Sequence, residues 1–149
     1  MLTGKELYES GMITGALESN IQPQGIGLHV SSISKIDGMG VFPETGEPVI
    51  PETKEIKLLR FHNKKIDQHI DGWMLPAGTY EIEFTEGVDS NETKFYYVSA
   101  SEALTKSGVV LVCPPIFGST DKIRATVWVS NTVLINQNAV IAQVFCFNR

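Results

Sequence analysis

Residues 79–84 read Thr79-Tyr80-Glu81-Ile82-Glu83-Phe84, a strict alternation of polar and apolar side chains. Only a strand sends successive side chains to opposite faces, so this run fits one face on a core and one in water. Comparable runs fall at 27–33, 55–59, 72–75, 94–98, 108–112, 124–130, 133–135 and 139–147. Gly, Pro, Asn and Asp separate them. Many short strands with frequent turn signals predict an all-β chain folded as a sandwich, jelly roll or barrel. At 149 residues it is expected to form one domain, 1–149.

Two helices interrupt the β pattern. Thr3 is suited to cap a short N-terminal helix, with Glu6 three residues on as its capping-box partner. Leu2, Leu7 and Met12 supply an apolar side, and Gly11 ends the helix. A further helical turn is expected at 14–19. The second helix is expected at 101–107, a short lid or corner with Leu104 as its one large apolar residue. Residues 38–53, with three prolines and glycine at 38, 40 and 46, read as an exposed loop or loose hairpin.

Composition limits the partners. The net charge is −5, and the 12 Lys and Arg are scattered, Lys64-Lys65 being the nearest thing to a cluster. A general nucleic-acid binder needs a basic face to neutralise phosphates, so none is expected. A pocket for one nucleotide needs only backbone N–H groups and one or two cations. Cys113 and Cys146 have neither disulfide-framework nor zinc spacing and read as small buried hydrophobes. Lys5, Glu6 and Glu9 rule out a secretory apolar segment after Met1, and no apolar run approaches a membrane span. The expectation is a cytoplasmic protein with no metal site of its own.

Several residues invite a chemical role and have a plainer one. His29, His62 and His69 have no nucleophile in a suitable context and read as surface or strand-edge histidines. Residues 87–92 have an Asp-x-Asn flavour but lack a calcium-loop pattern, and read as a solvated hairpin turn. Glu81, Glu83 and Glu86 could pair for acid–base work but read as a solvated strand face. Trp73, Phe95, Tyr96 and Tyr97 could stack a base; core or subunit interface is the commoner use.

Three segments together resemble the trimeric dUTPase and dCTP deaminase superfamily. The first is Ile21-Gln22-Pro23-Gln24-Gly25-Ile26-Gly27-Leu28, similar to the deaminases' Gln-Pro signature, with Gly27 where an Asp is expected. The second runs from Asp71 through Leu75-Pro76-Ala77-Gly78 to Phe84-Thr85-Glu86, like that family's strand, turn and strand ending in Thr-x-Glu. The third is the C-terminal third. Its order is the helix at 101–107, a Cys-Pro-Pro loop, the strand from Arg124, and a last strand containing Ile141-Ala142-Gln143.

The resemblance implies a jelly-roll-like β-barrel with a short N-terminal helix, assembled as a homotrimer. It also implies sites at subunit interfaces for a pyrimidine deoxynucleoside triphosphate, with Mg²⁺ on its phosphates. The family's Arg-Ser-Ser-Leu phosphate grip falls on Ser101, Glu102, Ala103 and Leu104. The Arg is gone, and a carboxylate stands where phosphate oxygens would approach. Lys106 matches a further family cation. The Asp that binds sugar and orients water falls on Gly118, with Asp121 three residues on as the weak catalytic candidate. The deaminases' general-base Glu falls on Trp128, whose indole cannot accept a proton. No glycine-rich closing tail follows the last strand. Ser101, Lys106, Arg124 and Gln143 are the candidate ligand-binding residues. The implied function is a catalytically impaired relative with a pyrimidine deoxynucleotide cleft. One alternative is an active dUTP diphosphatase or dCTP deaminase using relocated groups such as Asp121, Lys106 and Arg124. Another is a non-enzymatic trimeric structural or interaction module.

Overall fold

A computed structural model of the chain describes every residue except Asn91 and Glu92. The alternating runs become strands of one strongly connected β architecture. The elements are α1 (Gly4–Ser10), β1 (Ile13–Thr14), a 3-10 turn (Glu18–Asn20), β2 (Ile26–Asp37), β3 (Glu52–Glu55), β4 (Leu59–Asn63) and β5 (Gln68–Leu75). There follow β6 (Gly78–Phe84), β7 (Gly87–Val88), β8 (Lys94–Ala100), α2 (Glu102–Lys106), β9 (Val109–Val112), β10 (Arg124–Val129), β11 (Val133–Asn136) and β12 (Val140–Asn148). A seven-stranded sheet in the order β8-β12-β2-β6-β10-β9, with β3 added on β2, curls until β8 and β9 approach beneath α2. The sheet β11-β5-β4 and the small pair β1-β7 complete the shell. Every strand pairing is antiparallel.

The period-two rule sets the core. Tyr80, Ile82 and Phe84 of β6 point inward and are fully buried, with Val127 of β10, Ile33 of β2 and Val144 of β12. Trp73 and Leu75 of β5 and Ile135 of β11 join them from the three-stranded sheet. The buried phenol of Tyr80 donates to the Pro76 carbonyl at 2.7 Å, so its hydroxyl is satisfied.

The N-terminal helix forms as its caps dictate. Thr3 Oγ1 accepts from Glu6 N at 3.2 Å, and Glu6 Oε1 accepts from Thr3 N at 3.0 Å. Gly11 ends the helix in a left-handed conformation, φ 73°.

Four local expectations change. The strand at 55–59 is split, because the chain there leaves one sheet for another. Ile56 N still bonds to Ile33 O on β2, and Leu59 then starts β4. The helical turn at 14–19 gives way to β1, whose Ile13 and Thr14 pair with Val88 and Gly87, followed by the 3-10 turn. The solvated turn at 87–92 gives way, in its first two residues, to buried β7. Gly87 is required there: a Cβ would lie 2.1 Å from the Asp121 carbonyl oxygen. Asn91 and Glu92 of that turn lie outside the described residues. The fourth change concerns Glu86, which is buried (see below). Residues 38–53 do form a loose hairpin, closed near its tip by mutual Val41–Val49 backbone bonds of 2.9 and 2.8 Å.

Candidate functional site

Ser101 to Leu104, the segment expected from the sequence to grip phosphate, opens α2, whose polar groups are engaged with one another. Ser101 Oγ accepts from Leu104 N at 3.2 Å as the helix N-cap. Leu104 is buried and fixes the helix on the barrel rim. Lys106 Nζ lies 2.7 Å from Glu102 Oε1, one turn apart on the exposed side. Beside the helix is a cleft of about 250 Å³, walled by Ser101, Leu104, Ser107, Val133, Ile135 and Val140. Its described lining contains no charged side chain.

The other candidates sit on separate parts of the shell. Asp121 is exposed and borders a recess of about 450 Å³ with Thr14, Asp89, Ser119 and Thr120. Arg124 Nη2 lies 2.9 Å from Glu83 Oε2, and Lys122 Nζ lies 3.4 Å from Glu83 Oε1. Glu83 thus holds two cations at the strand surface. Trp128 is 57% exposed on β10. Gln143, half-buried on β12, sits opposite Gly27 of β2 and Ser99 of β8. Where the deaminase signature has an Asp, a Cβ on Gly27 would lie 2.8 Å from Val140 Cγ1 and 3.2 Å from Gln22 Nε2. Packing has closed over that position. Among the described residues, no hydrogen bond or ion pair joins any two of Ser101, Lys106, Asp121, Arg124 and Gln143.

Of the aromatics, Trp73 and Tyr96 are core, and Tyr97 is exposed. Burial raises the Tyr96 phenol above its ordinary pKa. Phe95 stacks between Phe117 and Phe147 at centroid distances of 5.7 and 5.3 Å. Burial likewise pushes the Cys113 and Cys146 thiols up, away from nucleophilic reactivity. Among the described residues no cluster of His, Cys, Asp and Glu could hold a metal, and no helix is long and apolar enough to cross a membrane.

The most constructed polar group is one the sequence hides. Glu86, grouped by sequence with a solvated strand face, is 0% exposed. Its Oε2 accepts from His29 N at 2.9 Å, and its Oε1 accepts from Asn20 Nδ2 at 3.1 Å. His29 Nδ1 lies 2.7 Å from Oε1. The backbone explains the arrangement. Strand β6 ends at Phe84, opposite Val30 of β2, so the His29 N–H lies past the end of that ladder and needs another acceptor. A carboxylate accepting that N–H also fixes the imidazole, with the proton on Nδ1. Asn20 Nδ2 also donates to Gly27 O at 2.8 Å, while Asn20 Oδ1 is buried without a partner among the described residues. His29 is therefore a half-buried, structurally held ring, more than the strand-edge histidine the sequence suggested. The one available signal was Thr85-Glu86, the end of a segment resembling the family's.

No family model matches the sequence, and no curated protein matches it. Among solved structures the chain is similar to 2'-deoxycytidine 5'-triphosphate deaminase from Agrobacterium tumefaciens, with a TM-score of 0.64 and 12% sequence identity. The match covers 97% of this chain and 46% of that one, so this chain spans about half its length. The all-β, dUTPase-like barrel expected from the sequence is the fold observed.

Proposed function

We propose that this chain is a catalytically impaired relative of the dUTPases and dCTP deaminases, assembled as a trimer. Its cleft beside α2 takes the nucleoside part of a pyrimidine deoxynucleotide. The observation that carries the reading is the state of α2. The Ser101 hydroxyl is spent on a cap, Lys106 is neutralised by Glu102, and the adjoining cleft offers aliphatic walls and uncharged polar groups. A triphosphate with Mg²⁺ needs charge compensation there, whereas a base and sugar need apolar walls and a few hydrogen bonds. Supporting the loss of chemistry, Trp128 occupies the expected general-base position. The cation at Arg124 is held by Glu83, apart from the acidic recess at Asp89 and Asp121.

The test is incubation with dUTP or dCTP and Mg²⁺, read as pyrophosphate and ammonia, beside thermal unfolding with the same nucleotides and their nucleosides. The expected result is no release above blank and a rise in Tm with nucleoside that Mg²⁺ does not change. Turnover abolished by Asp121→Asn would overturn the impairment and restore the relocated-residue alternative. Absence of both turnover and any Tm rise would leave the non-enzymatic module.

A further inference from the structure

The three-stranded sheet β11-β5-β4 carries large apolar residues on both faces. Trp73, Leu75 and Ile135 form its buried side. On the other side, register sets Phe61 opposite Ile70 and Leu134 opposite Met74, with Leu59 in the same row. Leu59, Met74 and Leu134 are each about half exposed, at 50%, 46% and 46%. An antiparallel sheet with one face in water normally keeps that face polar, and a contiguous exposed apolar patch marks a contact surface. At the end of this face Lys64 and Lys65 follow Asn63, while Asp67 is held by His62 and Arg60, on the opposite face, by Asp71. A groove of about 400 Å³ lies among Phe61, Ile70, Leu134, Lys64 and Lys65.

The complementary surface is on the same chain. Beyond the Asp37–Glu52 pair, β2 and β3 continue as the arm closed by Val41 and Val49. Near its tip Met39, Phe42 and Ile50 are 78%, 86% and 79% exposed. Residues 37–52 carry Asp37, Glu44, Glu47 and Glu52 and no Lys or Arg. One element is thus apolar and acidic, and the other is apolar with two lysines beside its groove. Among the described residues, no hydrogen bond or ion pair joins the two within a protomer.

We infer that the arm of one copy docks on the outer face of β11-β5-β4 of a second copy. Phe42 and Ile50 cover Phe61, Ile70 and Leu134, and Glu44 and Glu47 face Lys64 and Lys65. The apolar contact supplies the driving force, and the charges set orientation and exclude the reverse pairing. Each copy gives an arm and receives another, so repeated contacts form a closed ring when the rotation between copies divides a full turn. The contact does not depend on any nucleotide being bound.

Light scattering on the full chain tests the contact. The native protein is expected at a discrete multiple of its 16.4 kDa protomer. Phe42→Asp and Leu134→Lys, both at exposed positions, should each fall to the protomer mass with cooperative thermal unfolding retained. Mixed together, the two variants should form a species of twice the protomer mass, because one keeps a working face and the other a working arm. Glu44→Lys with Glu47→Lys should weaken assembly, and adding Lys64→Glu with Lys65→Glu should restore it. A monomeric native chain, an oligomer that survives Phe42→Asp, or a mixture that stays monomeric would overturn the inference.

Discussion

Glu86 and Glu102 each sit 2.7 Å from a basic nitrogen, yet one is sealed from solvent and the other stands in it. Glu86 is a hub: it meets a backbone N–H left past the end of β6, an amide and an imidazole. Glu102 meets one lysine on a five-residue helix. Burial makes the difference. In the dry junction each missing hydrogen bond carries a desolvation penalty, and in water it carries almost none. The polar construction of this barrel is therefore concentrated where it holds strands in register. The rim at α2 is left with self-satisfied surface groups.

The sharpest way to break this contrast is Glu86→Ala. It would leave the His29 N–H and the Asn20 amide without their acceptor in a buried junction, while the His29 ring, partly open to water, recovers some hydration. The expected loss is about 2–6 kcal/mol, two buried donors each left without an acceptor at about 1–3 kcal/mol apiece. Urea unfolding at neutral pH reads it as a fall in midpoint at constant slope. A loss below about 1 kcal/mol would mean that water already reaches the junction, and the contrast with Glu102 would vanish.

Between these extremes stands the capping box of α1. Thr3→Ala removes the side-chain acceptor for Glu6 N and should cost about 1 kcal/mol, typical of an N-cap. Its pH dependence has a definite sign. Hydrogen bonds from Thr3 hold the Glu6 carboxyl below its ordinary pKa. A carboxylate with a depressed folded pKa stabilises the fold above the unfolded value and loses that contribution as pH falls through the folded one. Acid titration of unfolding midpoints should therefore show a small decline in the native protein that Thr3→Ala reduces only in part, because the residue 3 backbone N–H still reaches the carboxylate. No decline in the native protein would show that the carboxylate half of the box is not formed in solution.

What could be read from the sequence follows the range of the interactions involved. Thr3, Glu6 and Gly11 lie within one helix, so the cap and stop were legible from spacing. The inward row Tyr80-Ile82-Phe84 was legible because a strand's period is fixed by its backbone. Glu86 was not. It resembles Glu81 and Glu83 in type and proximity, and its burial comes from partners 57 and 66 positions away in sequence. The same holds for Gly87, whose need for close approach is set by Asp121, and for Gly27, closed over by Val140. At α2 the sequence located the helix but counted Ser101, its N-cap, within it. Spacing alone also allowed the Glu102–Lys106 pair, but it gave no view of the uncharged cleft beside them.

The smallest effect is expected at that pair. Glu102→Ala removes an exposed i,i+4 partner of Lys106, where two mobile side chains must be ordered in a high-dielectric medium. Such a pair contributes about 0.3–0.5 kcal/mol, and salt screens it further. The unfolding midpoint should move by no more than this at low ionic strength and by nothing measurable at high salt. The substitution also frees the Lys106 ammonium at the rim of the cleft. If Glu102 is what excludes phosphates, Glu102→Ala should give a larger Tm rise with dUTP or dCTP than the native chain gives, while the response to nucleoside stays the same. A variant with stability lowered by more than about 1 kcal/mol would place Glu102 in the same structural class as Glu86, since solvated pairs do not reach that value. An unchanged nucleotide response would show that the rim excludes phosphates by shape, whatever its charge.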